Sequence, residues 1–230
     1  MPSVRRPAVL FDLDGTLIDS VELIVRSARH AFATCEGYQG RVPNDDEWLV
    51  DLGMPLPVLF GRFTSDPEEI ERLIDGYREF QHAHHDDLVT CYAGIVDTVR
   101  ALDDLGHPIG IVTSKSEPMA SRGLALVGLE RFVDTLVGLE SARRHKPDPE
   151  PVRVALDRLG LAPDEALFVG DSPHDMTAGR KAGVITVAAL WGPFGRAQLA
   201  TARPDYYIKA PRELAPLVER VAEALEEQED

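Results

Sequence analysis

Short apolar runs recur along the chain, each followed by a segment whose apolar residues fall at helical spacing. The runs are AVLF (8–11), IGIVTS (109–114), FVDTLVGLE (132–140), ALFVGD (166–171), VITVAAL (184–190) and YYIKA (206–210). Runs this short, bounded by turn residues, suit strands buried on both faces. The pieces between them suit helices: Val152, Ala155, Leu156 and Leu159 follow one another at steps of three, one and three. Strands alternating with helices predict an α/β fold, a doubly wound parallel sheet that takes in most of the chain from about residue 92 onward.

Residues from about 20 to 90 break that rhythm. Val21, Ile24, Val25, Ala28, Phe32 and Cys35 form one helical stripe, and Ile70, Leu73, Ile74, Tyr77 and Phe80 form another. Asp19 or Ser20 is the expected cap of the first helix. No comparable strand stands out here. The pattern predicts a helical domain inserted after the first strand, returning through DDLVTCYAG, so that 1–19 and 92–230 make the α/β core and 20–91 the helical domain.

Composition narrows the class. A chain of 230 residues with 44% hydrophobic positions can fill a sizeable interior. Its 24 Lys+Arg against 39 Asp+Glu give a formal charge of −15, which argues against nucleic acid or anionic membrane as partner. Part of the acidic excess is the tail EALEEQED, expected to be a solvated helix end. Cys35 and Cys91 are too few for a disulfide framework, and no Cys/His metal spacing is present, so a reducing compartment fits best. The first residues, MPSVRRPAVLF, offer only a four-residue apolar run, neither a signal peptide nor a membrane span. A soluble, cytoplasmic protein is expected. Nothing in the sequence signals the oligomeric state.

In a parallel sheet, ligands bind beyond the carboxyl ends of the strands, near the point where strand order reverses. The first strand ends at Asp12-Leu13-Asp14-Gly15-Thr16, another at Thr113-Ser114-Lys115, and a third at Gly170-Asp171-Ser172, followed by Asp175. A helix is expected to open at Lys146-Pro147-Asp148-Pro149. If these strands are neighbours, four carboxylates, a hydroxyl and an ammonium group converge. Like charges at short range cost on the order of 1 kcal/mol per pair even when well screened, so a cation is implied. Oxygen donors without a His/Cys cluster point to Mg²⁺, which leaves room for phosphate oxygens.

FDLDGT, the strand ending in Thr113, the lysine of HKPDP and the sequence GDSPHD resemble the four motifs of the haloacid dehalogenase superfamily, in order and over essentially the whole chain. KPDP, GDSPHD followed by AGRKAGV, and the late ALWG resemble its phosphoglycolate phosphatase-like branch. The resemblance implies a Rossmann-like core with a helical cap and a Mg²⁺-dependent phosphatase acting through an aspartyl-phosphate. It implies Asp12 as nucleophile and Asp14 as general acid and base, with Thr113 and Ser114 holding phosphate oxygens and Lys146 neutralising charge. It implies metal binding by Asp171, Asp12 and the Asp14 backbone carbonyl, with Asp175 orienting a metal-bound water or Lys146 from behind. LVDLGMPLPVLF (49–60) resembles the cap loop that faces the active site, and this makes Asp51, Leu52, Gly53 and Met54 candidates for substrate contact.

Plainer readings compete at several positions. Asp171 also suits the cap of the helix through Met176 and Ala178. His82, His84 and His85 read as solvated or capping residues of a helix, Trp48 and Trp191 as packing residues, and Lys115 as an exposed lysine that could contact substrate. The expected substrate is a small phosphorylated metabolite, with phosphoglycolate first. A pyrophosphatase of the same family is the alternative. A phosphosugar mutase is disfavoured because that branch has Glu-Asp where Gly170-Asp171 stand, and a non-catalytic phosphate-binding module because Asp12 and Asp14 are both present.

Overall fold

A computed structural model describes residues 6–227. Among these residues, eight strands and ten α-helices follow in chain order: β1 (Ala8–Phe11), β2 (Ile18–Asp19), α1 (Val21–Thr34), α2 (Asp45–Leu49), α3 (Leu56–Phe60), α4 (Pro67–Leu88), β3 (Thr90–Cys91), α5 (Ile95–Asp104), β4 (Ile109–Val112), α6 (Glu117–Leu126), β5 (Thr135–Val137), α7 (Glu150–Leu159), β6 (Ala166–Gly170), α8 (Pro173–Ala182), β7 (Ile185–Ala189), α9 (Arg196–Ala200), β8 (Tyr206–Ile208) and α10 (Leu214–Glu226). The end of the acidic tail lies outside the described residues.

Six strands form one parallel sheet in the order β5-β4-β1-β6-β7-β8. Every expected strand run contributes one of them. The run 132–140 is trimmed to three residues, because 3₁₀ turns at Glu130–Phe132 and Leu139–Ser141 take up its ends.

Strand periodicity divides the interior in two. Val9 and Phe11 face one side with Ile109, Ile111, Leu167 and Val169, covered by Val99 and Leu102 of α5, Leu124 of α6 and Val218 of α10. Ala8 and Leu10 face the other, covered by Val152 and Leu156 of α7 and Ala178 of α8. Burying each such Val or Leu contributes roughly 1.5–3 kcal/mol against the entropy of ordering the chain.

Helices α1–α4 lie between β2 and β3, a two-residue antiparallel pair joining Ile18 to Cys91 and Asp19 to Thr90. Two residues are too few to show periodicity, which is why this pair is not legible in sequence. Helices α1 and α4 share a third cluster with Trp48, Phe60 and Met176. The buried face of α1 is Leu23, Ile24, Ser27, Ala28, Ala31 and Phe32; Ile24, Ala28 and Phe32 belong to the expected stripe, whereas Val21, Val25 and Cys35 are only half-buried. Leu23, Ser27 and Ala31 take the other places, and Ser27 and Ala31 are small residues that a hydrophobic pattern underweights. Ser27 is accommodated because its hydroxyl donates to the Leu23 carbonyl at 2.7 Å.

Among the described residues, no helix is long and apolar enough to cross a membrane. Cys35 and Cys91 are both free.

Candidate active site

Strand β1 lies between β4 and β6, so the carboxyl ends of the three adjoin one another. Asp12 follows β1 directly and is 5% exposed. Its Oδ1 accepts a hydrogen bond from Lys146 Nζ at 2.7 Å, and the same ammonium donates to the Val112 carbonyl at 3.1 Å and lies 2.7 Å from Asp175 Oδ1. Lys146 is fully buried. Burial by itself would lower its pKa, but Asp12 and Asp175 outweigh that and raise it, which favours the ammonium form.

Helix α8 presents the acids of the third strand. Ser172, not Asp171, is its N-cap: the Ser172 hydroxyl accepts from the Asp175 backbone N–H at 3.2 Å and donates to Asp175 Oδ2 at 2.6 Å. The cap thus falls one residue after Asp171, the position that also suits it in the sequence. Asp171 is thereby free of capping, and its Oδ1 accepts instead from the Thr16 hydroxyl at 2.8 Å. Thr16 is fixed in turn by Trp191, whose indole N–H donates to the Thr16 carbonyl at 2.9 Å. The sequence alone left Thr16 without a role and gave Trp191 only packing.

Lys146 precedes α7 by a short turn; the helix itself begins at Glu150, with Pro149 as its cap. Thr113 is buried after β4, and its Oγ1 accepts from the Lys115 backbone N–H at 3.1 Å. The Ser114 hydroxyl is buried with no partner among the described residues.

Asp14 sits differently from Asp12. Its Oδ1 accepts from Ser20 Oγ at 2.5 Å and from Lys115 Nζ at 2.6 Å. Lys115 is therefore not an exposed lysine; only 7% of its side chain is accessible. Its apolar stem is covered while its charge has a dedicated partner, a long-range pairing that local sequence does not show. Ser20 occupies the N-cap of α1, but its side chain makes no cap hydrogen bond because it is spent on Asp14. Asp19 provides a weak substitute, accepting from Val21 N at 3.4 Å.

One carboxylate oxygen each from Asp12, Asp171 and Asp175 lies within 4.8 Å of the others. Burial, reinforced by Asp175, pushes the Asp12 carboxyl up to about 7. Burial and the neighbouring Asp12 likewise raise Asp171 well above the usual carboxylate range. Asp171 Oδ2 is buried without a hydrogen bond. Gly15, with φ of 89°, and Gly192 wall in this acid: a Cβ at Gly15 would stand 2.6 Å from Asp171 Oδ2, and one at Gly192 2.4 Å from Asp171 Cβ. A concentrated, partly unsatisfied set of hard oxygen donors is what a divalent cation requires. The residues present fit Mg²⁺.

A cavity of about 160 Å³ opens over this edge, with Asp12, Asp14, Thr113, Ser114 and Lys115 on the sheet side. Leu52, Gly53 and Met54 line it from the helical side, with Gly53 in a left-handed turn at φ 94°. Asp51 instead pairs with Arg62 at 2.5 Å and lies 3.7 Å from His174. All three histidines of the 82–85 cluster lie within α4, and they diverge: His82 is exposed, His84 half-buried, and His85 fully buried with Nδ1 2.8 Å from Asp86. His85 thus departs from the solvated reading, because α4 packs against α6 around Gly123. Trp48 is a packing residue, 2% exposed and 4.9 Å from the Phe60 ring.

The doubly wound α/β sheet thus gathers a lysine-bridged cluster of buried acids at its switch edge. The chain belongs to the haloacid dehalogenase-like hydrolases, whose family model matches residues 9–189. It is 42% identical over 210 residues to a protein named Pyrophosphatase PpaX from Bacillus velezensis, covering 91% of this chain and 94% of that one. A solved haloacid dehalogenase-like hydrolase from Streptococcus pneumoniae superimposes with a TM-score of 0.80 at 27% identity, covering 94% of this chain and 99% of the other. A solved Haemophilus somnus protein described as a predicted phosphoglycolate phosphatase gives 0.82 at 22% identity over 93% and 98% of the two chains, a likeness of fold.

Proposed function

We propose that the protein is a Mg²⁺-dependent phosphohydrolase of small phosphorylated molecules, with pyrophosphate its first candidate substrate. The observation that carries this reading is the pairing of Asp12 Oδ1 with Lys146 Nζ at 2.7 Å, with Asp12 on the wall of a cavity that Asp14 also lines. An ionised carboxylate kept in register by a buried cation is a nucleophile aimed at an anionic phosphorus centre.

In the proposed reaction an Asp12 carboxylate oxygen bonds to phosphorus as the bond from phosphorus to the leaving oxygen breaks. Asp14 gives its proton to that oxygen. A water then attacks the aspartyl-phosphate, Asp14 takes the water's proton, and phosphate leaves with Asp12 regenerated. Thr113 and Ser114 hold phosphoryl oxygens, a role to which the unpartnered Ser114 hydroxyl is suited. Lys146 offsets charge on Asp12 and the transferring group.

Asp171, Asp12 and the Asp14 backbone carbonyl would hold the metal, with Asp175 keeping Lys146 in place. When bound, Mg²⁺ supplies positive charge opposite the phosphoryl oxygens and favours the ionised forms of Asp12 and Asp171. Residues 20–91 would act as a cap excluding bulk water from the cavity.

Pyrophosphate moves ahead of phosphoglycolate because a relative at 42% identity carries the pyrophosphatase name, whereas the phosphoglycolate phosphatase neighbour at 22% supports the fold alone. With a charge of −15, the protein is proposed to act in the cytoplasm on a free metabolite, without nucleic acid or membrane. The test is phosphate release, with and without Mg²⁺, from pyrophosphate, phosphoglycolate, sugar phosphates and nucleoside monophosphates. Release that needs Mg²⁺ and vanishes in Asp12→Asn is expected; substantial turnover by that variant would sink the mechanism.

A further inference from the structure

Helix α4 carries an unexplained row of polar groups along the cavity. Arg78, Gln81 and His82 all line it, at positions i, i+3 and i+4, which share one helix face. Gln81 is only 7% exposed, yet none of the Arg78, Gln81 and His82 side chains makes a hydrogen bond or ion pair within the described residues. Elsewhere in this acidic chain several arginines are matched to acids: Arg29 with Asp45, Arg41 with Glu47, Arg62 with Asp51, Arg122 with Asp86. Of the arginine and lysine side chains lining the cavity, Lys115 is committed to Asp14 and Arg78 is unpaired. Most of the remaining helical wall is apolar, formed by Ile24, Leu52, Met54, Leu56 and Leu59.

We infer that Arg78, with Gln81 and His82, forms a second anion subsite that binds the leaving group, so that the preferred substrates carry a second negative charge close to the scissile phosphoryl group. This rests on the phosphohydrolase reading and narrows its substrate class to phosphate compounds whose leaving group is itself a phosphate or a carboxylate. Asp12 and Asp14 repel such a group, and the apolar wall gives it no hydrogen bond, so the α4 row is where its charge is met. Guanidinium suits either anion through paired N–H donors, and the Gln81 amide adds a neutral donor. A neutral aromatic leaving group gains nothing from the row.

The test compares kcat/KM for pyrophosphate, phosphoglycolate and p-nitrophenyl phosphate in the wild type, Arg78→Ala and Arg78→Glu. The ratio of either anionic-leaving-group substrate to p-nitrophenyl phosphate is expected to fall at least about tenfold in Arg78→Ala and further in Arg78→Glu. A fall confined to pyrophosphate assigns the subsite to phosphate, and one confined to phosphoglycolate assigns it to carboxylate. An equal change on all three substrates, or none, overturns the inference. Calorimetric titration of pyrophosphate and phosphoglycolate into Asp12→Asn, with and without Arg78→Ala, gives a readout that does not need turnover. Binding weakened at least about tenfold is expected; unchanged or undetectable affinity for both overturns the inference. Failure of the wild type to release phosphate from any substrate would instead remove the hydrolytic reading and leave the binding result to decide the subsite.

Discussion

The ammonium of Lys115 lies 2.6 Å from Asp14 Oδ1, with 7% of the lysine side chain and 15% of the aspartate's exposed. The Ser20 hydroxyl holds the same oxygen, so Asp14 is fixed from both β4 and α1. An acid that hands over a proton must be aimed as well as present, and general acid–base groups contribute roughly 10²–10⁴ in rate. Lys115→Ala should therefore lower kcat by about tenfold or more with a smaller change in KM. Steady-state kinetics on one substrate checks this; an unaltered kcat would make the pair merely structural.

Lys146 is the counter-charge of two buried acids. Lys146→Met leaves Asp12 and Asp175 without it, and breaking a buried pair from one side costs about 3–5 kcal/mol. Urea unfolding should show a loss of that order in the metal-free protein. Adding Asp175→Asn should recover part of it, because one unpaired charge is then gone. Equal stability of the single and double variants would contradict this assignment of the charge.

Burial pushes Asp12 from 3.8 up to about 7. The folded, metal-free protein thus keeps a proton that the unfolded chain releases near 3.8. The stability this group contributes is fully present below that value and is lost as pH rises through about 7. Between about pH 4 and about pH 8, the metal-free wild type should lose more stability than Asp12→Asn, whose amide does not titrate. Mg²⁺ should oppose the loss by favouring the ionised acids. Parallel pH dependences for the two proteins would refute the linkage.

Gly15 and Asp171 are in such close contact that no side chain fits between them. Gly15→Ala must either displace Asp171 or distort a turn that needs φ of 89°. Since shifting a ligand's support commonly costs about ten- to hundredfold in metal affinity, the Mg²⁺ concentration giving half-maximal activity should rise by that factor. An unchanged Mg²⁺ requirement would show that Asp171 is not a metal ligand.

Local patterns revealed much of this. Each sheet strand is a compact apolar run, and the acids follow β1 and β6 directly, so strand ends and candidate chemistry could be read together. Lys146, the counter-charge of Asp12, follows from the motif resemblance, but the partners that hold Asp14 are not legible. Ser20 reads as an ordinary helix cap until Asp14 is seen to claim its hydroxyl, and Lys115 reads as a surface lysine until its charge is traced to a residue 101 positions away. His85 looks like one of three equivalent histidines, yet helix phase turns it alone fully inward. Such properties arise from tertiary packing, which leaves no periodic mark on the sequence.

The four lysines of the chain fall into two pairs. Lys181 and Lys209 are exposed, whereas Lys146 is 1% and Lys115 7% accessible at the side chain, each against a carboxylate. Acylating reagents require an accessible, neutral amine, and a buried ammonium locked to Asp12 and Asp175 offers neither. Mild acylation of the folded protein should thus mark positions 181 and 209 and spare 115 and 146. Modified Lys146 in a preparation then identifies molecules that have opened, which makes one buried amine an internal standard for the intactness of the site.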